Sequence, residues 1–226
     1  HFPEMVSQKP SLTVPSAVTP PLSLEPFCGC MKSQNAGASC VGRVLTPSAG
    51  DVFIRRGTDS TASWRTVLVG GMGAGGKGMF ALDVTDPSAF DEKKVMWEIA
   101  ADSDNDLGYT LGTPAIGRVN NGKWVAIFGN GYESGTGKAV LYIVDLANPF
   151  ASNGIQKIYA DAKEPAASGN NNGLGSPEVV YDDNLTIQAV YAGDLKGRMW
   201  KFDLAGDNPA AWSARTGTTQ SAPLFT

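Results

Sequence analysis

The sequence predicts an all-β chain that forms part of a β-propeller. Three observations carry that prediction. A strand, tight turn, strand unit occurs three times, and each copy closes on an aspartate. The copies are Trp64-Arg-Thr-Val-Leu-Val-Gly-Gly71 with Gly78-Met-Phe-Ala-Leu-Asp83, Trp124-Val-Ala-Ile-Phe-Gly129 with Ala139-Val-Leu-Tyr-Ile-Val-Asp145, and Ile187-Gln-Ala-Val-Tyr-Ala-Gly193 with Gly197-Arg-Met-Trp-Lys-Phe-Asp203. A small residue followed by proline precedes each copy, at Thr46-Pro47, Thr113-Pro114 and Ser176-Pro177, and Ala222-Pro223 repeats it at the chain end. Almost nothing has the 3.6-residue periodicity of a helix. Repeats of about 60 residues with several short strands each are the mark of a propeller, whose blades bury their faces on one another.

Taken in order, residues 1–43 read as a Pro-rich extended segment with a cysteine-bearing loop. Six of the fourteen prolines fall in the first 26 residues, and proline breaks both helices and central strands. Cys28, Cys30 and Cys40 follow within thirteen residues. Their spacing lacks the fourth ligand and the Cys-x2-Cys pairs of a zinc knuckle. A disulfide joining Cys40 to Cys28 or Cys30 in an exported protein is the alternative, with one thiol left over. Residues 44–226 are the partial propeller, with blades at about 44–105, 106–168 and 169–215 and the start of a fourth at 216–226. Val95-Met-Trp-Glu-Ile99 and Gln156-Lys-Ile-Tyr159 read as outer strands of the first two blades. Asp102–Tyr109 and Ala166–Gly175 read as loops between blades. Gly70, Gly71, Gly129 and Gly193 should stand where strands turn or where backbones approach closely. Because closed propellers have about four to eight blades, the remainder of the ring is expected in a longer chain. The absence of an initial Met agrees with a processed product or an excerpt.

Composition excludes several function classes. The formal charge is −4, which opposes nucleic-acid binding, since that needs a basic face. The single histidine is residue 1, so the commonest general base and zinc ligand is almost missing and Ser-His-Asp or Cys-His catalysis is nearly ruled out. The longest apolar run, Ala139–Val144, is far short of the roughly 20 residues of a membrane-spanning helix. The Gly70–Gly78 stretch is no phosphate loop, because Lys77 is followed by Gly78 and a strand rather than by Ser or Thr and a helix.

Asp102, Asp104 and Asp106 alternate along one loop and are the candidate metal ligands, for calcium. No glycine stands at the sixth place and no acid at the twelfth, so the competing reading is a water-facing loop whose carboxylates cap turns. Asp83, Asp145 and Asp203 lie 62 and 58 residues apart and are expected to cap the turn after each strand. Trp64, Trp97, Trp124 and Trp200 are expected between blades, with a sugar-stacking platform conceivable only where two share an exposed face. No residue is assigned as catalytic or cofactor-binding, and no cofactor other than the candidate calcium is expected.

The run Trp64–Pro87, with Asp106-Leu-Gly-Tyr-Thr110, Gly122–Tyr132, Gly137–Tyr142 and Tyr191–Asp203, resembles the C-terminal, quinoprotein-like β-propeller of the PilC/PilY family of type IV pilus biogenesis proteins and tip adhesins of Gram-negative bacteria. The resemblance runs over roughly residues 13–226 and breaks at the cysteine segment. It implies a non-enzymatic protein exported through the periplasm to the pilus tip or outer-membrane surface. It also implies a variable N-terminal adhesive region, with pilin, minor pilins and a host-cell or abiotic surface receptor as partners. The implied work is pilus assembly, opposition to retraction and attachment. Family members often carry a calcium loop before the third-repeat strand. Here that place reads Tyr181-Asp-Asp-Asn-Leu-Thr-Ile187, without alternating carboxylates or glycine. Two alternatives stand beside this reading. One is a purely structural scaffold that presents the N-terminal region. The other is a quinoprotein-type dehydrogenase, disfavoured because Cys28 and Cys30 are not adjacent and lie outside the blades.

Overall fold

The computed structural model describes residues 45–57, 59–164, 171–217 and 219–226. Cys28, Cys30 and Cys40, with the Pro-rich segment, lie outside the described residues. Strands β1 (Leu45–Ile54), β2 (Ser63–Gly71), β3 (Gly78–Asp83) and β4 (Val95–Ala100) form one antiparallel sheet in chain order. Strands β5 (Ala115–Val119), β6 (Trp124–Gly129), β7 (Val140–Asp145) and β8 (Ile155–Tyr159) form a second antiparallel unit, and β9 (Glu178–Tyr181), β10 (Thr186–Gly193), β11 (Met199–Asp203) and β12 (Ser213–Thr216) a third. A two-residue β13 (Thr219–Gln220) extends β12. The only helical turns among the described residues are single 3-10 turns.

Proline sets where the first strand of each unit begins. Pro114 and Pro177 stand just before β5 and β9, where a residue without an N–H costs no ladder bond. Pro47 lies inside β1 but at its irregularity, where the register with β2 shifts between Leu45 and Ser48. The end of the chain stays with the third unit, as Phe225 bridges Met199 and the Leu224 N–H donates to the Met199 carbonyl.

The hydrophobic pattern explains how the sheets stack. Every residue of β7 is buried, because both faces of the second sheet are covered. Ala126, Phe128, Tyr142 and Val144 pack with Val52, Val67, Val69, Trp97 and Ile99 of the first sheet. Val125, Ile127, Leu141 and Ile143, one residue out of phase, pack with Ile187, Val190, Trp200 and Phe202 of the third. A strand buried on both faces reads as a continuous apolar run rather than an alternation. The Phe128 and Tyr142 rings stack with centroids 5.1 Å apart, and each such buried side chain contributes about 1.5–3 kcal/mol. By contrast, β1 alternates: Asp51 and Phe53 are exposed while Val52 and Ile54 are buried.

The second and third units are also joined through the backbone. The end of β5 pairs in parallel with the start of β10, Arg118 opposite Thr186 and Val119 opposite Ile187. The tryptophans split. Trp97 and Trp200 are buried between sheets, whereas Trp64 is 63% exposed. Trp64 forms an edge cluster with Phe53 at 5.5 Å and Trp124 at 6.0 Å between ring centroids. Trp64, near the start of β2, thus meets the second blade through Trp124, as expected of a tryptophan between blades, but at an exposed edge rather than in the buried core.

Close backbone crossings place the segments that lead from one blade to the next. A Cβ on Gly129 would lie 2.2 Å from the Gly175 carbonyl oxygen, and one on Gly131, at φ +73°, 2.0 Å from the Tyr109 oxygen. Gly193 ends β10 and its carbonyl accepts the Gly175 N–H at 2.9 Å, although a Cβ there would meet nothing nearer than 3.9 Å. Gly129→Ala should therefore destabilise the protein by about 2–4 kcal/mol, because backbone rather than a mobile side chain must give way. Gly206→Ala, with open space around it, should stay within about 0.5 kcal/mol of wild type. Denaturant midpoints at unchanged slope would check both.

Candidate functional site

The side chains that carry chemistry gather where the segments between blades cross the hairpin ends. The β2–β3, β6–β7 and β10–β11 registers place Gly71 opposite Met79, Gly129 opposite Leu141 and Gly193 opposite Met199. The next residue in each repeat is thus Met72, Asn130 or Asp194. In the second and third repeats this residue is the polar centre of a joint.

Asn130 is fully buried and completely paired. Its Nδ2 donates to the carbonyls of Asp106 at 2.7 Å and Lys138 at 2.8 Å. Its Oδ1 accepts from the Val140 and Leu174 N–H groups, both at 3.0 Å. Its backbone carbonyl accepts from Gly108 and its N–H donates to Val140. One residue thus ties the segment entering blade two (Asp106, Gly108) and the segment entering blade three (Leu174) to the same hairpin. An amide is suited to this, since it offers two donors and two acceptor sites in one plane.

Asp194 does the corresponding work with charge. Its Oδ2 accepts from Arg198 Nε at 2.8 Å, Trp200 Nε1 at 2.9 Å and Asn172 Nδ2 at 3.1 Å. Its Oδ1 accepts the Lys196 and Arg198 N–H groups, each at 3.0 Å. Arg198 stacks on Trp200, 4.9 Å from the ring centroid, and reaches Asp161 and Glu164 at 3.3 Å each. Lys196 also pairs with Glu164, so this buried carboxylate on the blade-two-to-three segment is matched by two cations.

The candidate calcium ligands are split. Asp104 Oδ1 and Asp106 Oδ2 converge on Lys157 Nζ, at 2.5 and 3.0 Å. Asp106 also accepts from Tyr159 Oη at 2.8 Å and Thr136 Oγ1 at 2.7 Å. Asp102 takes no part in these bonds. Among the described residues no group of three or more His, Cys, Asp or Glu is placed to hold a metal. The loop at Asp182-Asp183-Asn184 does not fit calcium either. Asp182 Oδ1 accepts the N–H groups of Asn184 and Thr186, and its Oδ2 takes Gln188 Nε2, so this carboxylate is used by its own turn.

The repeat aspartates cap turns. Asp83, Asp145 and Asp203 each accept with Oδ1 from the N–H two residues on, in Thr85, Ala147 and Ala205. The first two also take a cation, Arg65 of β2 at 2.7 Å and Lys123, just before β6, at 2.9 Å. These cations occupy the same register place, two residues before the residue that faces the aspartate. Ile187 stands there in the third repeat, and Arg215 of β12 approaches Asp203 at 3.7 Å instead. Lys77, in the glycine-rich hairpin, donates to the Glu133 carbonyl and lies 5.0 Å from the Tyr109 ring centroid, so it crosses to the next blade.

Burial by itself pushes the Asp83, Asp106 and Asp194 carboxyls up, yet all three sit below the ordinary carboxylate value. Hydrogen bonds outweigh burial: Thr85 and Arg65 at Asp83, Thr136, Lys157 and Tyr159 at Asp106, and Trp200, Asn172 and Arg198 at Asp194. The arrangement therefore holds anions and cations in fixed pairs. It offers no nucleophile poised against a base. Asn130, Lys157 and Arg198 are not picked out by their neighbours in sequence, because most of their partners are 8 to 53 positions away, Asp194 at four from Arg198 being the exception. Repeat position alone could have flagged Asn130 and Asp194.

Comparison with known proteins agrees with this architecture. A family model described as the PilY1 beta-propeller domain matches residues 44–225. A type IV pilus biogenesis factor PilY1 homolog of Xylella fastidiosa is 48% identical over 172 residues, covering 72% of this chain and 11% of the relative. The type IV pilus biogenesis factor PilY1 of Pseudomonas aeruginosa is 39% identical over 177 residues, covering 72% of this chain and 14% of its own length. The crystal structure of the Pseudomonas aeruginosa PilY1 C-terminal domain is similar with a TM-score of 0.63 at 36% identity, over 77% of this chain and 36% of that one. The chain thus spans only about a tenth to a seventh of these curated relatives.

Two outcomes follow from the joints. Asn130→Ala strands four buried backbone groups and should cost about 3–5 kcal/mol in denaturant unfolding. The depressed carboxylates add stability that is complete above the value for an unfolded Asp, about 3.9, and is lost as pH falls through their lower folded values. Stability measured against pH should be level near neutrality and fall below about pH 4. Asp106→Asn should flatten part of that fall.

Proposed function

This chain belongs to the PilY1 β-propeller family, and on that premise we propose that it is the propeller portion of a type IV pilus biogenesis factor. The observation that carries the reading is the family match across residues 44–225, nearly all of the repeat region. In this reading the propeller is a rigid, non-enzymatic platform at the pilus tip or outer-membrane surface. It supports pilus assembly, opposes retraction and aids attachment to a surface or host cell. Pilin and minor pilins are its partners. The geometry is consistent with that work. Of the buried charges, Asp106 and Glu164 are used where segments pass between blades and Asp83 and Asp145 in capping turns, and the joints hold long segments in fixed positions, as a load-resisting assembly factor requires. The relatives are named as biogenesis factors rather than enzymes, which supports the non-enzymatic assignment.

The test replaces the native gene with one lacking residues 44–226 and counts surface pili, with the pilin pool measured alongside. The expected result is a loss of surface pili with pilin still made. It should be partly reversed when retraction is also disabled, as an opponent of retraction requires. Unchanged piliation, retraction and adhesion would remove the proposal.

A further inference from the structure

We infer that Lys157 is a built-in cation, held between Asp104 and Asp106 where an ion from solution would otherwise have to stand, so that the joint between the first two blades closes without calcium. Four observations meet at this point. The segment Asp102–Asp106 carries acids at alternate positions, the pattern with which a loop wraps a divalent cation. Two of those acids converge on one point, and the point is Lys157 Nζ, 2.5 Å from Asp104 and 3.0 Å from Asp106. That nitrogen also stands 5.3 Å from the centroid of the Tyr142 ring, whose residue faces Lys157 across the β7–β8 pair.

The fourth observation is the Tyr142 hydroxyl. Tyr142 is wholly buried, and no well-aligned hydrogen bond reaches its Oη among the described residues. The hydroxyl lies within the field of Asp104 and Asp106, and burial, then those charges, hold it in the neutral form. Asp104 acts on this hydroxyl as a charge and as an acceptor, so Tyr142 belongs to the same cluster. Two carboxylates, Tyr159 Oη beside Asp106 and the Tyr142 hydroxyl give an oxygen-rich wall, and Lys157 Nζ is the cation that both carboxylates meet.

The electrostatic consequence is direct. Without Lys157 the two carboxylates face each other with no positive charge, and the segment would loosen from the blade. An ion supplied from solution would have to replace the ammonium. An ammonium brings one charge and three donors at a fixed place, whereas calcium brings two charges and takes six to eight oxygens, water included. The lysine therefore exchanges dependence on external calcium for a permanent internal cation.

The experiment uses the full-length protein, with a protease that cuts before aspartate, so that Asp102, Asp104 and Asp106 report on the segment itself. For the wild type, neither millimolar CaCl2 nor EGTA should change the cutting rate. Lys157→Met keeps the apolar stem over Tyr142 and removes the charge. Its segment should be cut roughly tenfold faster, a factor suited to a half-buried pair, and millimolar CaCl2 should restore most of the protection. Lys157→Arg should retain near-wild-type protection. The inference is overturned if Lys157→Met resists cutting like wild type, if its faster cutting ignores calcium, or if wild type itself is slowed by calcium. Should Lys157→Met fail to fold, Asp104→Asn tests the loop side. Faster cutting at Asp102 and Asp106 without a calcium response supports the inference, and a wild-type rate overturns it.

Discussion

The stacking of these blades depends on one buried amide. Asn130 uses both donors and both acceptor sites of its side chain, and both of its backbone groups, to hold two different chain segments against one hairpin. The hydrophobic clusters on either side of the second sheet supply most of the driving force, since apolar burial is the dominant favourable term. Burial alone does not fix how a crossing segment lies, because it is non-directional. The amide does, because a buried donor or acceptor left unpaired costs more than the pair gains.

The same division recurs at each joint with different chemistry. Between the first two blades the closure is Asn130 with the Asp104–Asp106–Lys157 cluster. Between the second and third it is Asp194 and Asn172 with Arg198, Lys196 and Glu164. In both, acids on the segment between blades meet cations on the blade it enters. Charges placed this way are expensive to bury and costly to separate once paired, so they define one arrangement. Backbone pairing between β5 and β10 adds a further constraint at the second joint. A platform for assembling and holding a fibre needs such definition more than it needs a reactive centre.

Much of the fold was legible in the sequence. The closing aspartates at 83, 145 and 203 exposed the repeat, and each caps the turn after its strand. Trp97 and Trp200 lie in the interior as expected of large aromatics. What the sequence hid was contact at a distance. Nothing in the strand that carries Trp64 says that its ring lies at an exposed edge. Asp104 and Asp106 spell a calcium loop by alternation. Their partner, Lys157, lies some fifty residues on in an unremarkable strand. Asn130 reads as a turn residue after Gly129, and only the crossing of Leu174 reveals it as a buried staple. Cys28, Cys30 and Cys40 lie outside the described residues.

The most direct test is amide hydrogen exchange of the full-length protein, resolved to single residues at the joints. Each joint amide should be as slow as the core strands, since opening it means separating the blades. The Leu174 N–H, bonded to Asn130, and the Gly108 N–H, bonded to its carbonyl, should therefore exchange at the rate of Ile127 and Leu141. Rapid exchange at Gly108 and Leu174, with β6 and β7 still protected, would contradict the account. The segments between blades would then be ordinary loops, and the stack would be held by hydrophobic faces alone.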